Sequence, residues 1–183
     1  MVFEHSTETL ETFRAKGPLS KNDYLGLVEK ILETGVEKER SRDHFLNLHP
    51  RFILCIDGNW KFVNPYMSES YINEVLNIYL KDEKAAATYG STKIQTNIWE
   101  FGKILLSLVT GNPPEWYEDF NELKSGLGQL NANPEVSDIV KDIINGFCEW
   151  NAYTKFSDLK KFYGELKTKY HGVDSTKSPL KKP

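Results

Sequence analysis

The chain has 183 residues, a formal net charge of -3 and a pI of about 5.9, so it lacks the basic composition typical of nucleic-acid-binding proteins. Hydrophobic residues make up 39% and aromatic residues 13%, which indicates a folded domain rather than a disordered chain. No apolar run approaches the roughly 20 residues that span a bilayer, so we predict no membrane insertion. Because the composition is not basic, we also predict no nucleic-acid binding.

The chain opens with a polar stretch, residues 1–17, which we predict to be an N-terminal arm. Ser20 followed by Asp23 predicts the start of a helix, because the acid can reach back to free backbone amides there. Apolar residues at helical spacing follow, and Gly35 is predicted to end this helix. The charged stretch 37–43 is typical of a solvated helix end or loop.

A β-hairpin is predicted over residues 52–63. Two short β-prone runs flank Asp57-Gly58-Asn59, and Asp-Gly tolerates the positive φ angles of a tight turn. An isolated hairpin is marginal in water, so it must lie on helices. Another helix is predicted from Ser68 to Leu80, and a polar loop over 81–93.

Residues 97–110 are apolar on nearly every side of a predicted helix. A helix of this composition must be covered by other elements, so we predict a buried central pillar rather than an outer helix. Thr96 is a candidate N-cap, and Gly111 with the two prolines after it is predicted to end the helix.

Three more helices are predicted after the pillar. A short one, over 120–128, ends near its two glycines, and residues 136–148 have the clearest helical period in the chain. The last helix begins at Thr154 or Ser157. The fold class is therefore mainly α with one small β-hairpin, and the predicted parts are the arm, a helical domain over 18–170 and a polar, disordered or partner-bound tail over 171–183.

This order of elements resembles the C-terminal lobe of eukaryotic protein kinases. Five segments carry the resemblance. Residues 48–54 (LHPRFIL) resemble the family's catalytic loop, and residues 57–62 (DGNWKF) resemble the turn and strand after it. Residues 97–102 (NIWEFG) resemble the start of its buried central helix, residues 108–114 (LVTGNPP) its Gly-x-x-Pro stop, and residues 148–159 its closing segment. The similarity covers about residues 20 to 170.

Departures from the kinase pattern fall on the positions that handle metal and phosphate. The resemblance aligns the catalytic loop's His-Arg-Asp with Phe45-Leu46-Asn47, so Asn47 stands in the place of the catalytic Asp. It aligns the phosphate-contacting Lys with His49, the metal-binding Asn with Phe52, and the Asp of Asp-Phe-Gly with Asn64. An amide carries no negative charge to accept a proton, and a phenyl ring has no ligand atom. The Asp that opens the family's central helix is Asn97 here.

The family's small N-terminal lobe has no counterpart in the roughly 20 residues before the first helix of the domain, since neither a Gly-rich loop nor a Val-Ala-Ile-Lys strand fits there. We therefore expect a pseudokinase lobe that is not an enzyme and uses no cofactor or metal. Two alternatives stay open. One is a divergent nucleotide-binding phosphotransferase completed by another chain, and the other is an unrelated helical domain.

Sites built on histidine or cysteine are not favoured. His44, His49 and Cys55 match neither a helix face nor a zinc-binding spacing. Cys55 and Cys148 lie on predicted apolar faces, where buried inert thiols are the rule. With no disulfide framework, they favour an intracellular, reducing compartment, with the cytoplasm first. Glu100, among the apolar residues of the pillar, is expected to be a structurally satisfied acid.

Loss of the small lobe would leave aromatic side chains uncovered unless the arm, the 68–80 helix or a partner lies over them. We predict an interaction surface that also includes two aromatic residues after the pillar: Phe45, Phe52, Trp60, Phe62, Tyr66, Trp116 and Tyr117. The expected function is an interaction, scaffold or structural subunit, with other proteins of a large multi-subunit assembly as partners.

Overall fold

A computed structural model of the chain describes residues 8–17, 19–42, 45, 48–56, 58–62, 93–149 and 152–171. This part is mainly helical and carries one small antiparallel sheet. Its strands are β1 (Glu8–Thr9), β2 (Ile53–Ile56) and β3 (Asn59–Phe62). Its α-helices are α1 (Leu10–Lys16), α2 (Lys21–Ser41), α3 (Lys93–Thr110), α4 (Phe120–Ala132), α5 (Asp138–Cys148) and α6 (Phe156–Lys169). Short 3-10 helices span Pro50–Phe52 and Pro114–Glu118.

Helix α3 lies at the centre of the fold. Every residue from Phe101 to Leu108 is buried, and this run includes the polar Lys103 and Ser107. Helices α4 and α5 both pack against it. The predicted buried pillar is confirmed, because a helix that is apolar on nearly every side has to be enclosed by its neighbours.

The two ends of α3 differ in how well the sequence predicted them. The helix begins at Lys93, so the proposed N-cap at Thr96 is wrong and Thr96 lies inside the helix. The end is confirmed: Gly111 has a φ of 81° and its N–H donates to the Ser107 carbonyl at 3.0 Å. A positive φ at this position is easily adopted only by glycine.

Two predicted helix ends at glycine are wrong because each glycine makes room for a ring. Helix α2 continues past Gly35, where an added Cβ would lie 2.4 Å from the ring of Phe156. Helix α4 continues past Gly126, where an added Cβ would lie 2.6 Å from the ring of Tyr117. These glycines serve close packing inside a helix. The predicted N-cap of α2 is confirmed, since the Ser20 side chain accepts from the Asp23 N–H at 3.1 Å.

Helix α5 confirms the predicted periodicity. The residues of α5 expected to face the core are buried: Ile139, Val140, Ile143, Ile144, Phe147 and Cys148. Helix α6 begins at Phe156, within the predicted range, and its first turn is capped from a distance. The Glu39 carboxylate of α2 accepts from the Ser157 N–H at 3.0 Å and from its hydroxyl at 2.9 Å.

The predicted hairpin is confirmed, but it belongs to a larger sheet. Strands β2 and β3 pair antiparallel around the turn at Gly58, whose φ is 76°. Strand β1, from the predicted arm, pairs antiparallel with the other edge of β2, so the sheet has three strands rather than two. Leu10, directly after β1, is fully buried. The described part of the arm is therefore packed onto the helical domain.

Several predictions lie outside the described residues. They are the turn residue Asp57, the helix over 68–80, most of the loop over 81–93, the kinase-like positions Asn47 and Asn64, Tyr66, and the tail after residue 171. No helix of the described part combines the length and apolar character needed to cross a membrane.

Candidate functional site

The seven aromatic residues of the predicted surface divide into buried and exposed members. Three are core residues: Phe45 is 4% exposed, Trp60 5% and Tyr117 0%. Phe52 and Phe62 are half-buried. Trp116 alone among the described members is largely open to solvent, at 54%. In the free chain, Phe45, Trp60 and Tyr117 are therefore covered by the chain itself and do not belong to an exposed docking face.

Phe45 is held in an aromatic cluster. Its ring meets those of Phe62, Phe101 and Phe156 edge-on, with centroid distances of 5.3, 4.9 and 5.9 Å. Edge-to-face pairs of this kind are favourable beyond the apolar area they bury. The cluster joins the segment that resembles the catalytic loop to helices α3 and α6.

Trp60 is covered by the N-terminal segment. Phe13 of α1 contacts its ring edge-on at a centroid distance of 5.6 Å. The indole N–H of Trp60 donates to the Asp23 carbonyl at 3.1 Å. The arm was one of the covers considered from the sequence, and at this position its helix α1 contacts the ring.

Asn97 joins two segments that the kinase resemblance aligned separately. Its Oδ1 accepts from the Phe45 N–H at 3.1 Å, and its Nδ2 donates to the Phe45 carbonyl at 3.3 Å. Asn97 is 4% exposed, so both bonds are shielded from water. The amide satisfies a buried backbone donor and acceptor at once, which a carboxylate does not do.

His49 and Phe52 lie in the turn before β2, and the imidazole is used to hold that turn. His49 Nδ1 accepts from the Arg51 N–H at 3.2 Å, and its Nε2 lies 3.2 Å from the Glu115 carboxylate. Burial and the nearby Arg51 lower the pKa of His49, while Glu115 acts in the opposite direction. The Phe52 ring lies edge-on to His49 at 6.3 Å.

Trp116 and Tyr117 have opposite environments although they are adjacent. The Tyr117 hydroxyl shares a 2.5 Å hydrogen bond with Thr110 and is fully buried. The Trp116 indole stays at the surface, where its N–H donates to Glu122 at 3.0 Å. Of this pair, Tyr117 therefore packs into the chain's own core, and only Trp116 is available at the surface.

Phe120 is an exposed aromatic residue that the sequence did not single out. It is 67% exposed at the first position of α4. Phe120 and Leu123 both lie in the helix predicted over 120–128, but only Leu123 is buried. The local charge could have indicated that Phe120 is exposed, since residues 115–122 contain four acids and no basic residue.

The buried Lys103 of α3 has compensating partners within the chain. Lys103 lies 2.7 Å from Glu100, and its ammonium is 4.5 Å from the centre of the Trp99 ring. The side chain of Glu100 is 18% exposed, so its expected structural use is confirmed. Burying the Lys103 charge is tolerated because the carboxylate and ring both compensate it.

The two thiols differ in their surroundings. Cys148 is buried, which raises its pKa to about 12, so it is a protonated and unreactive thiol at neutral pH. Cys55 is only half-buried in β2, so the expectation that both are buried is wrong for this residue. No group of three or more potential metal ligands occurs among the residues described.

Comparison with known proteins adds no family for this chain. No family model matches the sequence, and no curated protein matches it.

Proposed function

We propose that this protein is a non-catalytic subunit that binds other proteins, built on a degenerate, kinase-like C-terminal lobe. The observation that carries the proposal is the pair of exposed aromatic side chains at the junction of α3 and α4. Trp116 and Phe120 are 54% and 67% exposed, and large aromatic side chains of this kind are enriched where proteins dock.

The charge around the two rings suggests the chemistry of the partner. Residues 115–122 contain four carboxylates and no lysine, arginine or histidine of their own, and Glu115 lies beside His49. Glu122 also fixes the indole of Trp116 by a hydrogen bond, so the ring is already ordered before binding. A preordered ring loses less side-chain entropy on association. We infer a partner surface that combines a hydrophobic pocket with lysine or arginine residues.

The kinase-like part of the proposal is supported by how the aligned positions are used. His49 stands where the family has a phosphate-contacting Lys, and it bonds a backbone N–H and a carboxylate of its own chain. Phe52 stands where the family has a metal-binding Asn. Asn97 and Phe45, from two aligned segments, bond each other in the core. These contacts are consistent with a lobe that keeps the kinase-like architecture without the family's catalytic groups.

The test is site-specific cross-linking in cells that naturally produce the protein. A photo-reactive amino acid replaces the exposed Glu118, beside the two rings, and in a control it replaces Lys160 on α6. We expect cross-links from position 118 to a defined protein and none to that protein from position 160. Trp116→Ala with Phe120→Ala is expected to abolish the cross-link, because both rings are lost.

Two results would contradict the proposal. One is an unchanged cross-link in the double variant, which would place binding elsewhere. The other is transfer of phosphate from ATP by the purified protein with Mg²⁺, lost on Asn47→Ala or Asn64→Ala, which would establish the phosphotransferase alternative. Circular dichroism of each variant checks that the helical fold is intact.

A further inference from the structure

A groove of about 510 Å³ lies between the end of α5 and the outer side of α6. The side chains that matter for its chemistry are three carboxylates, two rings and one ammonium: Asp142, Glu149, Glu165, Tyr153, Phe162 and Lys169. The groove therefore combines aromatic surface with negative charge.

At one end, the two aromatic rings stand side by side. Tyr153 and Phe162 have ring centroids 5.2 Å apart and planes tilted by 32°. Phe162 reaches this position because α5 has a glycine there: a Cβ on Gly146 would lie 2.5 Å from its ring. Both rings are half-buried, so part of their surface remains open to the groove.

Two carboxylates flank these rings. Glu149 and Glu165 are exposed. Burial raises the pKa of Tyr153, and both carboxylates raise it further, so both act on the same ring. Neither forms an ion pair with any residue in the described ranges. The last turn of α5 adds partial negative charge from its terminal carbonyls.

The opposite end of the groove already holds a cation by the same chemistry. The Lys169 ammonium lies 3.0 Å from the Asp142 carboxylate and 4.7 Å from the centre of the Tyr170 ring. The Tyr170 hydroxyl donates to Asp142 at 2.8 Å. A ring and a carboxylate thus hold one lysine here, while the Tyr153 end has two rings and two carboxylates.

We propose that the Tyr153–Phe162 end of the groove binds a lysine or arginine side chain from a basic segment of a partner protein. The ring faces offer cation–π attraction, and Glu149 and Glu165 supply the complementary charge. This site shares no residue with the surface around Trp116 and Phe120, and it does not depend on the proposed function.

The experiment is an NMR titration of the ¹⁵N-labelled full chain with a capped hexapeptide that contains two lysines. We expect saturable shifts of the amide signals of Glu149, Tyr153, Phe162 and Glu165. The same peptide acetylated on both lysines is expected to produce none of these shifts, because acetylation removes the charge.

Single variants test the carboxylates. Glu149→Gln and Glu165→Gln should each lower the affinity about two- to fivefold, the range expected for one exposed ion pair. The matched control is Glu135→Gln, an exposed acid before α5 that lies outside the groove and should leave the affinity unchanged. The affinity lost on either groove substitution, relative to the unchanged chain, should be greater at low salt than at high salt.

Four outcomes would overturn the proposal. The first two are equal shifts with the acetylated peptide and unchanged affinity in both groove variants. The third is a set of shifts at the groove residues that depends on protein concentration when no peptide is present. The fourth is a set of shifts at the same residues when the chain's own Lys177, Lys181 and Lys182 are neutralised by substitution. The third would identify a second copy as the occupant, and the fourth would identify the C-terminal segment.

Discussion

At the residue scale, Asn97 shows how a single amide pairs a buried backbone N–H and a buried carbonyl together. Both ends of its side chain bond the Phe45 backbone in the core. We expect Asn97→Asp to lower the free energy of unfolding by about 2–3 kcal/mol at pH 7, because the carboxylate faces the Phe45 carbonyl without a proton to donate. Urea unfolding monitored by circular dichroism measures the loss.

The same variant has a pH signature. Burial near a carbonyl raises the pKa of an Asp above its ordinary value of about 3.9, so the folded state of Asn97→Asp takes up a proton more readily than the unfolded state. Its stability deficit should therefore shrink as the pH falls from 7 towards 4. Asn97→Ala, which leaves both Phe45 groups unpaired, should show no such recovery. A deficit independent of pH would contradict this account.

At the scale of the secondary-structure element, Gly35 of α2 shows how close packing opposes helix propensity. An alanine in a helix is ordinarily about 1 kcal/mol better than a glycine. At position 35, however, the added methyl would lie 2.4 Å from the buried ring of Phe156. We expect Gly35→Ala to destabilise the protein by about 1–3 kcal/mol in urea unfolding, because the overpacking exceeds the helical gain.

The matched control for Gly35 is another helical glycine. Gly128 of α4 is exposed, and an added Cβ would meet nothing within 4 Å. Gly128→Ala should therefore stabilise the protein by roughly 0.5–1 kcal/mol. If both alanines stabilised it to the same extent, close packing at Gly35 would not explain why α2 runs through this position.

Helices with a strong period were predictable, whereas the C-terminal ends of α2 and α4 were not. The apolar period of α5 and the all-round apolar surface of α3 follow from the sequence, since each face must be buried. The end of α2 was misplaced because glycine at position 35 disfavours a helix locally and is retained for a ring 121 positions later in the chain, Phe156. Similarly, Glu39 was expected to be solvated, but it caps α6.

At the scale of the whole molecule, the N-terminal segment contributes to the core. Phe13 covers Trp60, and Leu10 beside it is fully buried. We expect Phe13→Ala to lower the free energy of unfolding by about 1–3 kcal/mol, because an edge-on ring contact and apolar burial are lost. The Trp60 indole proton, bonded to Asp23, should then exchange faster with solvent, as measured by NMR.

Ala15→Ser, an exposed change on the same helix, is the control for Phe13 and should leave both the stability and the indole exchange unchanged. Unaltered exchange of the Trp60 indole proton in Phe13→Ala would mean that another element covers this ring. This experiment therefore tests whether Phe13 covers the Trp60 ring, independently of any partner protein.

The candidate site was predictable only in part. The sequence located Trp116 as an aromatic residue suited to an interface, since tryptophan is favoured at interfaces and this one follows the prolines after α3. It did not reveal that Tyr117 is buried while Phe120 is exposed, because the local turn of 3-10 helix decides which of them faces inward. The groove at Tyr153 was not predictable either, since it forms only where α5 and α6 meet.

Composition and apolar periodicity by themselves determined a mainly helical domain, a buried central helix and a hairpin, because burial of apolar surface and turn geometry act over short stretches of chain. Tertiary structure alone decided which aromatic rings are covered, where α2 and α4 end, and how β1 completes the sheet. These features depend on contacts between residues far apart in the sequence, so no local pattern encodes them.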